Sequence, residues 1–529
     1  MVAATVSALG HAGLRLEAPG VRLLLDPWLS GSGAFLGSWF PFPDNSHLLE
    51  PSGADVLDCD LVVVSHEHLD HLDLDLLAGL PAEVPVVVPR YPSTIMQRRL
   101  RAIGRDRVVV LDPWQRLPLG DHGDWLTVIP EQCPMSHDAA VLIQVGDRAV
   151  LHTNDARLSL AQVRRAMVEV GGPIDLMFVQ TSGASWHPVC YEYDPADRER
   201  IETVKRVGKL KAVTRLVRAA APRLVLPYAG PPCFLDDDLF ELNGGLRPGG
   251  VFSDQHDAVE WLGEHLPAQR CGYLLPGDTV DLDGLGFVPD AHWDGFSLGE
   301  PASERRSYLE AYATRRRDAI DRAWRANPAP AADLGERFAT HLESLGLLSG
   351  YFLARIGMTV RFEVQGAVEG VWDAHVGPGG VRVDLDGGRG PTNYRLRLDG
   401  RWLDGVVSGR TRWEELLLSL RFSARREPDV YNDYLVGLLK HADRAALLAV
   451  EEFESARDPR ETITLDLAGA PVRVSRYCPH AGEDLAESAV VADGRLRCLG
   501  HNFEFDLTTG ECLNARCEPL TVDHVATVG

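Results

Sequence analysis

The chain has 529 residues, which predicts about three domains of roughly 100–200 residues each rather than one core. Hydrophobic residues make up 45% and charged residues 24%, ordinary values for a globular protein that exclude a disordered or collagen-like chain. The 53 basic and 76 acidic side chains leave a formal net charge of −23, which argues against nucleic acid as a partner.

The start of the chain carries no basic segment followed by an apolar one, as a secretory signal would. No apolar run in the sequence approaches the roughly 18 residues that span a bilayer. We therefore expect a cytoplasmic protein without a transmembrane segment.

Residues 2–245 alternate short apolar, β-branched runs with stretches of helical spacing. The runs include residues 21–25, 61–64, 141–145 and 176–180, and the helical stretches include 73–80, 93–103, 159–170 and 195–220. Pro195 stands at the start of the last stretch, as is typical of the first turn of a helix. This rhythm predicts a layered α/β domain. Residues 246–300, rich in Gly, Asp and Pro, are expected to form an irregular extension, so we assign the first domain to residues 1–300.

Residues 65–71 read Ser-His-Glu-His-Leu-Asp-His and follow an apolar run. A strand that ends here delivers two imidazoles, His66 and His68, to one metal, while Asp70 and His71 face a second. A solvated polar loop that binds no metal is the alternative interpretation of the same residues.

This motif resembles the HxHxDH sequence of the metallo-β-lactamase fold, in the branch that contains ascorbate-6-phosphate lactonase. Residues 10–13, residues 24–28, His137 and Asp155 match that branch in order, so the resemblance covers about 230 residues. It implies an αββα sandwich with two metal positions, and Asp155 bridging them. The implied ligands are His66, His68 and His137 for the first metal, and Asp70, His71 and Asp155 for the second.

The sequence departs from this family at the last ligand. The family has a histidine after the final core strand, which falls here within residues 226–230, and Ala229 occupies the place. The second site then has an open coordination position or is lost, so one or two bound metals are both compatible with the sequence. His11, His152 and His187 are candidate replacements, although each is individually better explained as a structural residue.

Residues 301–458 are predicted to form an α+β module without a catalytic motif. The pattern predicts a charged helix over 305–326, a break at 327–330, a helix over 334–347, strands between 358 and 407, and helices over 412–422 and 430–453. The segments 402–409 and 413–416 resemble a sterol-carrier-like module, with an ordinary structural bridge as the alternative.

Residues 459–529 show short alternating segments separated by Gly and Asp, which predicts a small all-β domain. Within it, Cys478 and His480 are followed, after 17 residues, by Cys498 and His501. The two Cys-His pairs resemble the Rieske [2Fe–2S] motif, which implies that the thiolates hold one iron and the imidazoles the other. A Cys2His2 zinc site is the alternative, but its ligands usually run Cys-Cys and then His-His.

The surroundings of this motif indicate a low-potential cluster. High-potential Rieske proteins have an additional cysteine in each ligand loop and hydroxyl donors after the last histidine. Here Phe503 and Phe505 occupy the places of the hydroxyls. Fewer hydrogen bonds to the sulfurs lower the reduction potential. Cys512 and Cys517 lie too far along the chain to form that disulfide, and we expect plain thiols.

The two motifs together indicate an oxygenase. Hydrolysis needs no electrons, whereas a redox-active iron in the N-terminal site gives both domains a purpose, and imidazole and carboxylate ligands suit Fe(II) as well as zinc. The combination is similar to the N-acetyl to N-glycolyl hydroxylases, a family that contains CMP-N-acetylneuraminate and UDP-N-acetylmuramate hydroxylases. The Rieske-last order and the scarcity of lysine, with four among 53 basic residues, favour the muramate branch.

This resemblance implies a monooxygenase that converts UDP-N-acetylmuramate to UDP-N-glycolylmuramate for peptidoglycan synthesis. It implies a Rieske [2Fe–2S] cluster, non-haem iron, O2, and electrons from NAD(P)H through a partner reductase or small redox carrier. If the cluster reaches the iron from a neighbouring chain, a homo-oligomer is required. The alternatives are a CMP-N-acetylneuraminate-type hydroxylase, a metal-dependent hydrolase or lactonase with an accessory redox domain, and an electron carrier.

A nucleotide-sugar substrate carries negative charge, so an acidic protein needs a local basic pocket for it. The candidates by charge are Arg90, Arg98, Arg99, Arg157 and residues 315–317, and the candidates for a ring contact are Trp186 and Tyr228. Surface exposure of the arginines and packing of the aromatic residues are the ordinary explanations.

Overall fold

The computed structural model describes residues 4–50, 56–182, 185–246, 250–456, 460–467, 470–480, 482–500 and 502–524. The chain divides into two compact units. The first comprises Met1–Glu131, His137–Ser185 and Pro195–Trp324, and the second comprises Gln132–Ser136, Trp186–Asp194 and Arg325–Gly529. None of the helices in the described part of the chain is long and apolar enough to cross a membrane.

The first unit contains strands, α-helices and short 3-10 turns. Its strands are β1 (Thr5–Gly10), β2 (Gly13–Ala18), β3 (Val21–Leu25), β4 (Trp39–Phe40), β5 (Leu61–Val63), β6 (Val86–Pro89), β7 (Val108–Leu111), β8 (Leu117–Leu119), β9 (Asp124–Pro130), β10 (Ala139–Val145), β11 (Arg148–His152), β12 (Leu176–Gln180), β13 (Leu224–Tyr228), β14 (Cys233–Phe234), β15 (Thr279–Asp281) and β16 (Phe287–Val288). Its helices are α1 (Leu74–Gly79), α2 (Ile95–Ala102), α3 (Leu160–Glu169), α4 (Pro195–Ala220), α5 (Gln255–His265) and α6 (Ala302–Ala326), and the 3-10 turns are Ser46–Leu49, Phe240–Leu242 and Ala291–Trp293.

Two sheets of the first unit pack face to face, in the orders β16-β15-β1-β2-β3-β5-β6-β7 and β13-β12-β11-β10-β9-β8. Side chains alternate between the two faces of a strand, and residues 62–64, in β5 and directly after it, follow this alternation. Val63 lies in the core between the sheets, whereas Val62 and Val64 pack with the helices α1 and α2. Helices α3, α4 and α5 cover the second sheet in the same way. The predicted αββα sandwich is confirmed.

Local sequence accounts for the helix ends. Ser159 and Gln162 form a reciprocal capping box at α3, and α4 begins at Pro195 as predicted. The stretch 246–300 is less irregular than expected, because it contains α5 and the strands β15 and β16. β15 pairs with the free edge of β1 and so extends the first sheet.

The second unit contains further strands and helices. The strands are β17 (Met358–Gln365), β18 (Gly370–Gly377), β19 (Gly380–Asp384), β20 (Tyr394–Asp399), β21 (Phe422–Arg426), β22 (Tyr431–Asn432), β23 (Thr462–Leu467), β24 (Ala470–Ser475), β25 (Ala489–Ala492), β26 (Arg495–Cys498), β27 (Phe503–Asp506), β28 (Ala515–Arg516) and β29 (Val522–His524). The helices are α7 (Leu334–Leu345), α8 (Gly350–Ile356), α9 (Gly400–Val407), α10 (Trp413–Leu418), α11 (Asp433–His441), α12 (Arg444–Ser455) and α13 (Leu485–Ser488).

The middle region is built on a five-stranded sheet of order β19-β18-β17-β20-β21 with helices around it. Residues 400–407, expected as strand, form α9, because the side chain of Asp399 accepts a hydrogen bond from the N–H of Arg401 and caps the helix. The helix expected over 412–422 ends at Leu418 and is followed by β21. The helix expected over 430–453 is interrupted at Ala442, whose φ is 44°.

The described residues of the C-terminal region are all-β apart from the one-turn helix α13, as predicted. They form the three-stranded sheets β23-β24-β29 and β25-β26-β27. One compact core, which includes the buried side chains of Val474, Leu496 and Phe505, joins them.

Gly230, two residues after the end of β13, is required by the packing of the first unit. Its φ is +117°, and a Cβ there would lie 2.5 Å from the carbonyl oxygen of Ser182. We expect Gly230→Ala to lower the free energy of unfolding by about 1–3 kcal/mol, measured as a lower urea midpoint. Gly172→Ala is the control, because nothing lies within 4 Å of its added carbon. Equal midpoints for the two variants would contradict this account.

Candidate functional site

The loop after β5 is anchored by a buried carboxylate, that of Asp26, which follows the neighbouring parallel strand β3. The N–H and hydroxyl of Ser65 donate to its two oxygens at 2.7 and 2.6 Å. Nδ1 of His71 donates to the same carboxylate at 2.9 Å, which leaves Nε2 to face the centre of the site. Burial acts to raise the pKa of Asp26, but the charge and hydrogen bond of His71, together with the charges of His152 and His66, outweigh burial and lower that pKa.

One group of candidate ligands consists of His66, His68 and Asp155. One atom from each lies within 4.8 Å of the others, a spacing that a single metal ion can bridge. Nε2 of His66 and Nδ1 of His68 are 2.9 Å apart, and the hydroxyl of Ser65 lies 2.9 Å from the other ring nitrogen of His66. The strand end therefore presents both imidazoles of the motif together with a carboxylate that is distant in sequence.

A second group consists of His11, Asp70 and His71, which also lie within 4.8 Å of one another. Nε2 of His11 is 2.9 Å from Oδ2 of Asp70, and Nε2 of His71 is 3.8 Å from the same oxygen. Oδ1 of Asp155 lies 3.5 Å from Nε2 of His71. The Asp155 carboxylate thus reaches both groups, and its role as a bridging ligand stays a prediction.

These donors fit a metal ion. Oδ1 of Asp70 is buried and has no hydrogen-bond partner among the described residues, and a buried oxygen of this kind is costly unless a cation or donor meets it. Burial, together with His71 and His68, lowers the pKa of His66 to about 4, so this ring is neutral at pH 7, as a metal ligand must be. Imidazole and carboxylate donors suit Zn²⁺ and Fe²⁺ alike.

His71 carries a proton when no metal is bound. Burial acts to lower its pKa, but the carboxylates of Asp70, Asp155 and Asp26 outweigh burial and raise it well above the ordinary value. Burial acts to raise the pKa of Asp70, and His71 and His11 lower it to about 2. The site therefore holds a positive charge between carboxylates, which is the charge pattern that a divalent cation would provide.

His137 belongs to neither group of three. Its ring stacks on Tyr91 with centroids 5.0 Å apart, and its Nδ1 lies 3.4 Å from a carboxylate oxygen of Glu67. The hydroxyl of Tyr91 donates to the backbone carbonyl of Ser65 at 2.7 Å. His137 is thus held beside the ligand loop, and its role as a ligand of the first metal stays a prediction.

The histidines weighed as replacements for the last ligand have different environments. His11 joins Asp70 and His71, and its backbone carbonyl accepts a hydrogen bond of 3.0 Å from the N–H of Ala229. His152 instead donates from Nε2 to the carbonyl of Ala12 at 3.0 Å. His187 lies in the second unit, where its Nε2 is 2.9 Å from the hydroxyl of Tyr193.

The C-terminal motif places two sulfurs side by side in the second unit. Cys478 and Cys498 are 1% and 0% exposed, and their thiols hydrogen-bond to each other, which with burial raises the pKa of Cys478 well above its ordinary value. Two buried sulfurs in contact cannot both ionise without a nearby cation, so they fit iron. The fourth predicted ligand, His501, lies outside the described residues.

His480 completes the described part of this site. Its ring stacks on Phe503 with centroids 4.0 Å apart, so an apolar side chain covers the imidazole. Its Nε2 is 2.6 Å from Oδ2 of Asp433, at the start of α11. A carboxylate of this kind orients a ligating imidazole through its other nitrogen. Sequence reasoning missed Asp433, because nothing in its neighbourhood marks it as different from a helix-capping acid.

The thiols of Cys512 and Cys517 hydrogen-bond to each other, and none of the nine cysteines, all of which lie among the described residues, forms a disulfide. Most of the arginines proposed by charge are paired. Arg90 pairs with Asp112, Arg99 donates to the carbonyl of Glu67, Arg315 and Arg316 pair with Asp44, and Arg317 pairs with Asp237.

Tyr228 packs in the core between the sheets and donates to Asn154, so packing explains it. Trp186 is half-buried in the second unit.

Residues 21–216 match the family described as the beta-lactamase superfamily domain, and residues 454–524 match the Rieske [2Fe-2S] domain. A Rieske 2Fe-2S iron–sulfur protein of Mycobacterium tuberculosis is 29% identical over 538 residues, which cover 97% of this chain and 99% of that protein. The chain therefore combines a β-lactamase-fold domain with a Rieske domain, and it is similar over its length to that mycobacterial protein.

Cytidine monophosphate-N-acetylneuraminic acid hydroxylase of Pan troglodytes is 25% identical over 345 residues, which cover 58% of this chain and 55% of that enzyme. The chain thus matches about half of the enzyme's length. Among solved structures, CmlA, a diiron β-hydroxylase from Streptomyces venezuelae, aligns with 20% identity over 53% of this chain and 54% of that chain, at a TM-score of 0.35.

The geometry of the second group predicts that His11 contributes to metal binding. We expect His11→Ala to weaken the binding of one Fe²⁺ ion by more than about tenfold, because the second group then keeps only two of its three donors. The measurement is metal content by mass spectrometry across a titration of free iron. His122→Ala, which changes an exposed histidine of the same unit, should leave binding unchanged. Identical titrations for both variants would mark His11 as structural.

The contact between Asp433 and His480 predicts an effect on the cluster. Asp433→Asn removes a negative charge 2.6 Å from a ligand of the cluster. The electron that reduces the cluster then meets less electrostatic repulsion, so the reduction potential should rise. Protein-film voltammetry gives the potential, and electron paramagnetic resonance shows that the cluster is retained. Glu452→Gln, on the exposed face of α12, is the control. An unchanged potential in the Asn variant would show that the carboxylate does not act on the cluster.

Proposed function

We propose that this protein is a monooxygenase that converts the N-acetyl group of a nucleotide sugar to N-glycolyl. One observation carries the proposal: a single chain holds a buried cluster of imidazoles and carboxylates that fits a redox metal, and a pair of buried thiols in a Rieske motif that fits an electron-transfer cluster. A hydrolase would need the first site alone. The hydroxylation of a methyl group consumes O2, two electrons and two protons, and it yields the alcohol and water.

Iron in the N-terminal site would supply oxygen activation, and the Rieske cluster would supply electrons one at a time. The residues of the chain prepare the site for this. Asp26 holds the His71 ring so that Nε2 faces Asp70 and Asp155. Burial keeps the His66 ring neutral and available as a donor. Ala229, at the position where the resemblance implies a histidine, supplies no side-chain ligand to the second group.

The substrate class has two lines of support. The relative from Pan troglodytes is named for hydroxylation of a nucleotide-linked N-acetyl sugar acid. Within that class, the Rieske-last order and the arginine-rich composition favour UDP-N-acetylmuramate, whose product would enter peptidoglycan synthesis. The proposal includes an NAD(P)H-fed reductase or small carrier as electron donor and a cytoplasmic location, where nucleotide sugars are made.

The test uses the full chain, loaded with Fe²⁺ without oxygen, chemically reduced and exposed to ¹⁸O2 with UDP-N-acetylmuramate and CMP-N-acetylneuraminate in separate reactions. We expect one ¹⁸O atom in the muramate nucleotide, located on the acetyl methyl carbon by fragmentation. Cys478→Ser should abolish labelling because the cluster loses a ligand, whereas Cys59→Ser, which changes a buried thiol of the first unit, should not.

Labelling of the sialic acid nucleotide alone would keep the hydroxylase and overturn the muramate assignment. If neither nucleotide gains oxygen while iron is bound and the cluster is reduced, the nucleotide-sugar proposal is wrong. Binding of zinc in place of iron, with hydrolytic turnover, would replace the oxygenase with the hydrolase.

A further inference from the structure

Helix α4 concentrates a residue type that the rest of the chain avoids. The chain has four lysines among 53 basic residues, and Lys205, Lys209 and Lys211 all lie on this helix. Residues four apart share a helix face, so Lys205 and Lys209 point the same way, whereas Lys211 is on a different face and is exposed. A lysine is a compact charge with three donors and suits phosphate as a point charge, so its use here calls for an explanation.

Lys209 lies at one edge of the second sheet. The candidate metal ligand Asp155 lies at the same edge. Its ammonium donates to the side-chain oxygen of Gln180, the last residue of β12. β12 is parallel to β11, and the chain that leaves β11 at the same edge contains Asp155. Asp155 is also among the charges that act on the Lys209 ammonium. One of its three N–H donors is used by Gln180, which leaves two for a ligand.

Further donors follow directly after Gln180. The hydroxyls of Thr181 and Ser182 are buried, and neither has a hydrogen-bond partner among the described residues. Buried hydroxyls are nearly always satisfied, so these two indicate that another group meets them. Both hydroxyls stand at the same sheet edge as Gln180 and Lys209.

A second cation faces Lys209. Arg157, two residues after Asp155, has its backbone N–H held by the carboxylate of Glu131 at 2.7 Å, while its side chain is exposed. Burial and then the positive charge of Arg157 lower the pKa of Lys209 to about 8. The carboxylates of Asp155, Glu131 and Asp138 act on Lys209 in the opposite direction, so the two cations are the groups of this mixed cluster that could attract a phosphate.

We propose that Lys209, Arg157, Thr181 and Ser182 form a subsite beside the N-terminal metal centre that binds the phosphate groups of the substrate. The N–H groups of the two cations and the two hydroxyls are donors of the kind that bind the oxygens of a diphosphate. The proposal rests on the proposed function in that the diphosphate of a nucleotide sugar is the natural occupant, but phosphate binding requires no turnover.

The first test measures binding of uridine 5′-diphosphate and inorganic pyrophosphate to the iron-loaded full chain by calorimetry, without oxygen or reductant. We expect both to bind, and uridine not to. Lys209→Gln and Arg157→Gln should each weaken binding by about tenfold or more, since each removes a charge-assisted contact. Lys211→Gln, on the same helix, is the matched control, and Lys209→Arg should restore most of the affinity. Equal affinities for Lys209→Gln and Lys211→Gln would overturn the subsite and attribute binding to the metal alone.

The second test needs no variant and so does not depend on folding of a mutant. Limited acetylation with acetic anhydride, followed by peptide mass spectrometry, reports on all four lysines at once. Saturating uridine 5′-diphosphate should slow the labelling of Lys209 at least several-fold and leave Lys211 and Lys440 unchanged. Uniform labelling with and without the diphosphate would overturn the proposal. Protection of Lys209 in a protein that never hydroxylates a nucleotide sugar would keep the subsite and reject the proposed function, so the two failures are distinguishable.

Discussion

The buried carboxylate of Asp26 is the constraint on which the N-terminal site depends. It accepts hydrogen bonds from the N–H and hydroxyl of Ser65 and from Nδ1 of His71, so one side chain sets both the start of the ligand loop and the orientation of its last histidine. Such a group must be fully paired to be stable in a core. The pairing in turn commits Nε2 of His71 to the side where Asp70 and Asp155 lie.

The N-terminal metal site and the C-terminal pair of thiols each bring together side chains that would repel one another, or remain unsatisfied, unless a proton or a metal ion lies among them. Asp70 and Asp155 share a buried site with several imidazoles, and Cys478 and Cys498 place two sulfurs in contact inside an apolar core. Without metal, a proton on His71 and the thiol protons of the cysteines neutralise these groups. A metal ion that displaced those protons would gain ligands already in position, and metal binding would therefore be coupled to proton release.

Much of this could be predicted from the sequence, because it depends on local pattern. The alternation at β5 and the histidine motif after it are adjacent in the chain, and the two Cys-His pairs have a distinctive spacing. Elements whose form depends on distant partners could not be predicted. Strands β15 and β16 exist because β1 offers an edge to pair with. The strand expected over residues 400–407 was wrong for a local reason, because Asp399 caps a helix there. Asp433 and the grouping of His11 with Asp70 arise from tertiary contacts that no local pattern encodes.

Backbone conformation gives an independent reason to regard the N-terminal cluster as a functional site. Four non-glycine residues with φ between 42° and 56° surround it: His11, Asp26, Asn154 and Ala229. Each is an unfavourable conformation for an L-residue and persists only where the surrounding structure enforces it. The N–H of Ala229 donates a hydrogen bond to the carbonyl of His11. Ala229, where a histidine was expected, is therefore linked directly to His11, the histidine that belongs to the second group. If the His11 ring replaces the histidine that is absent at Ala229, the second group keeps its number of donors. The open side of the site then lies toward Ala229.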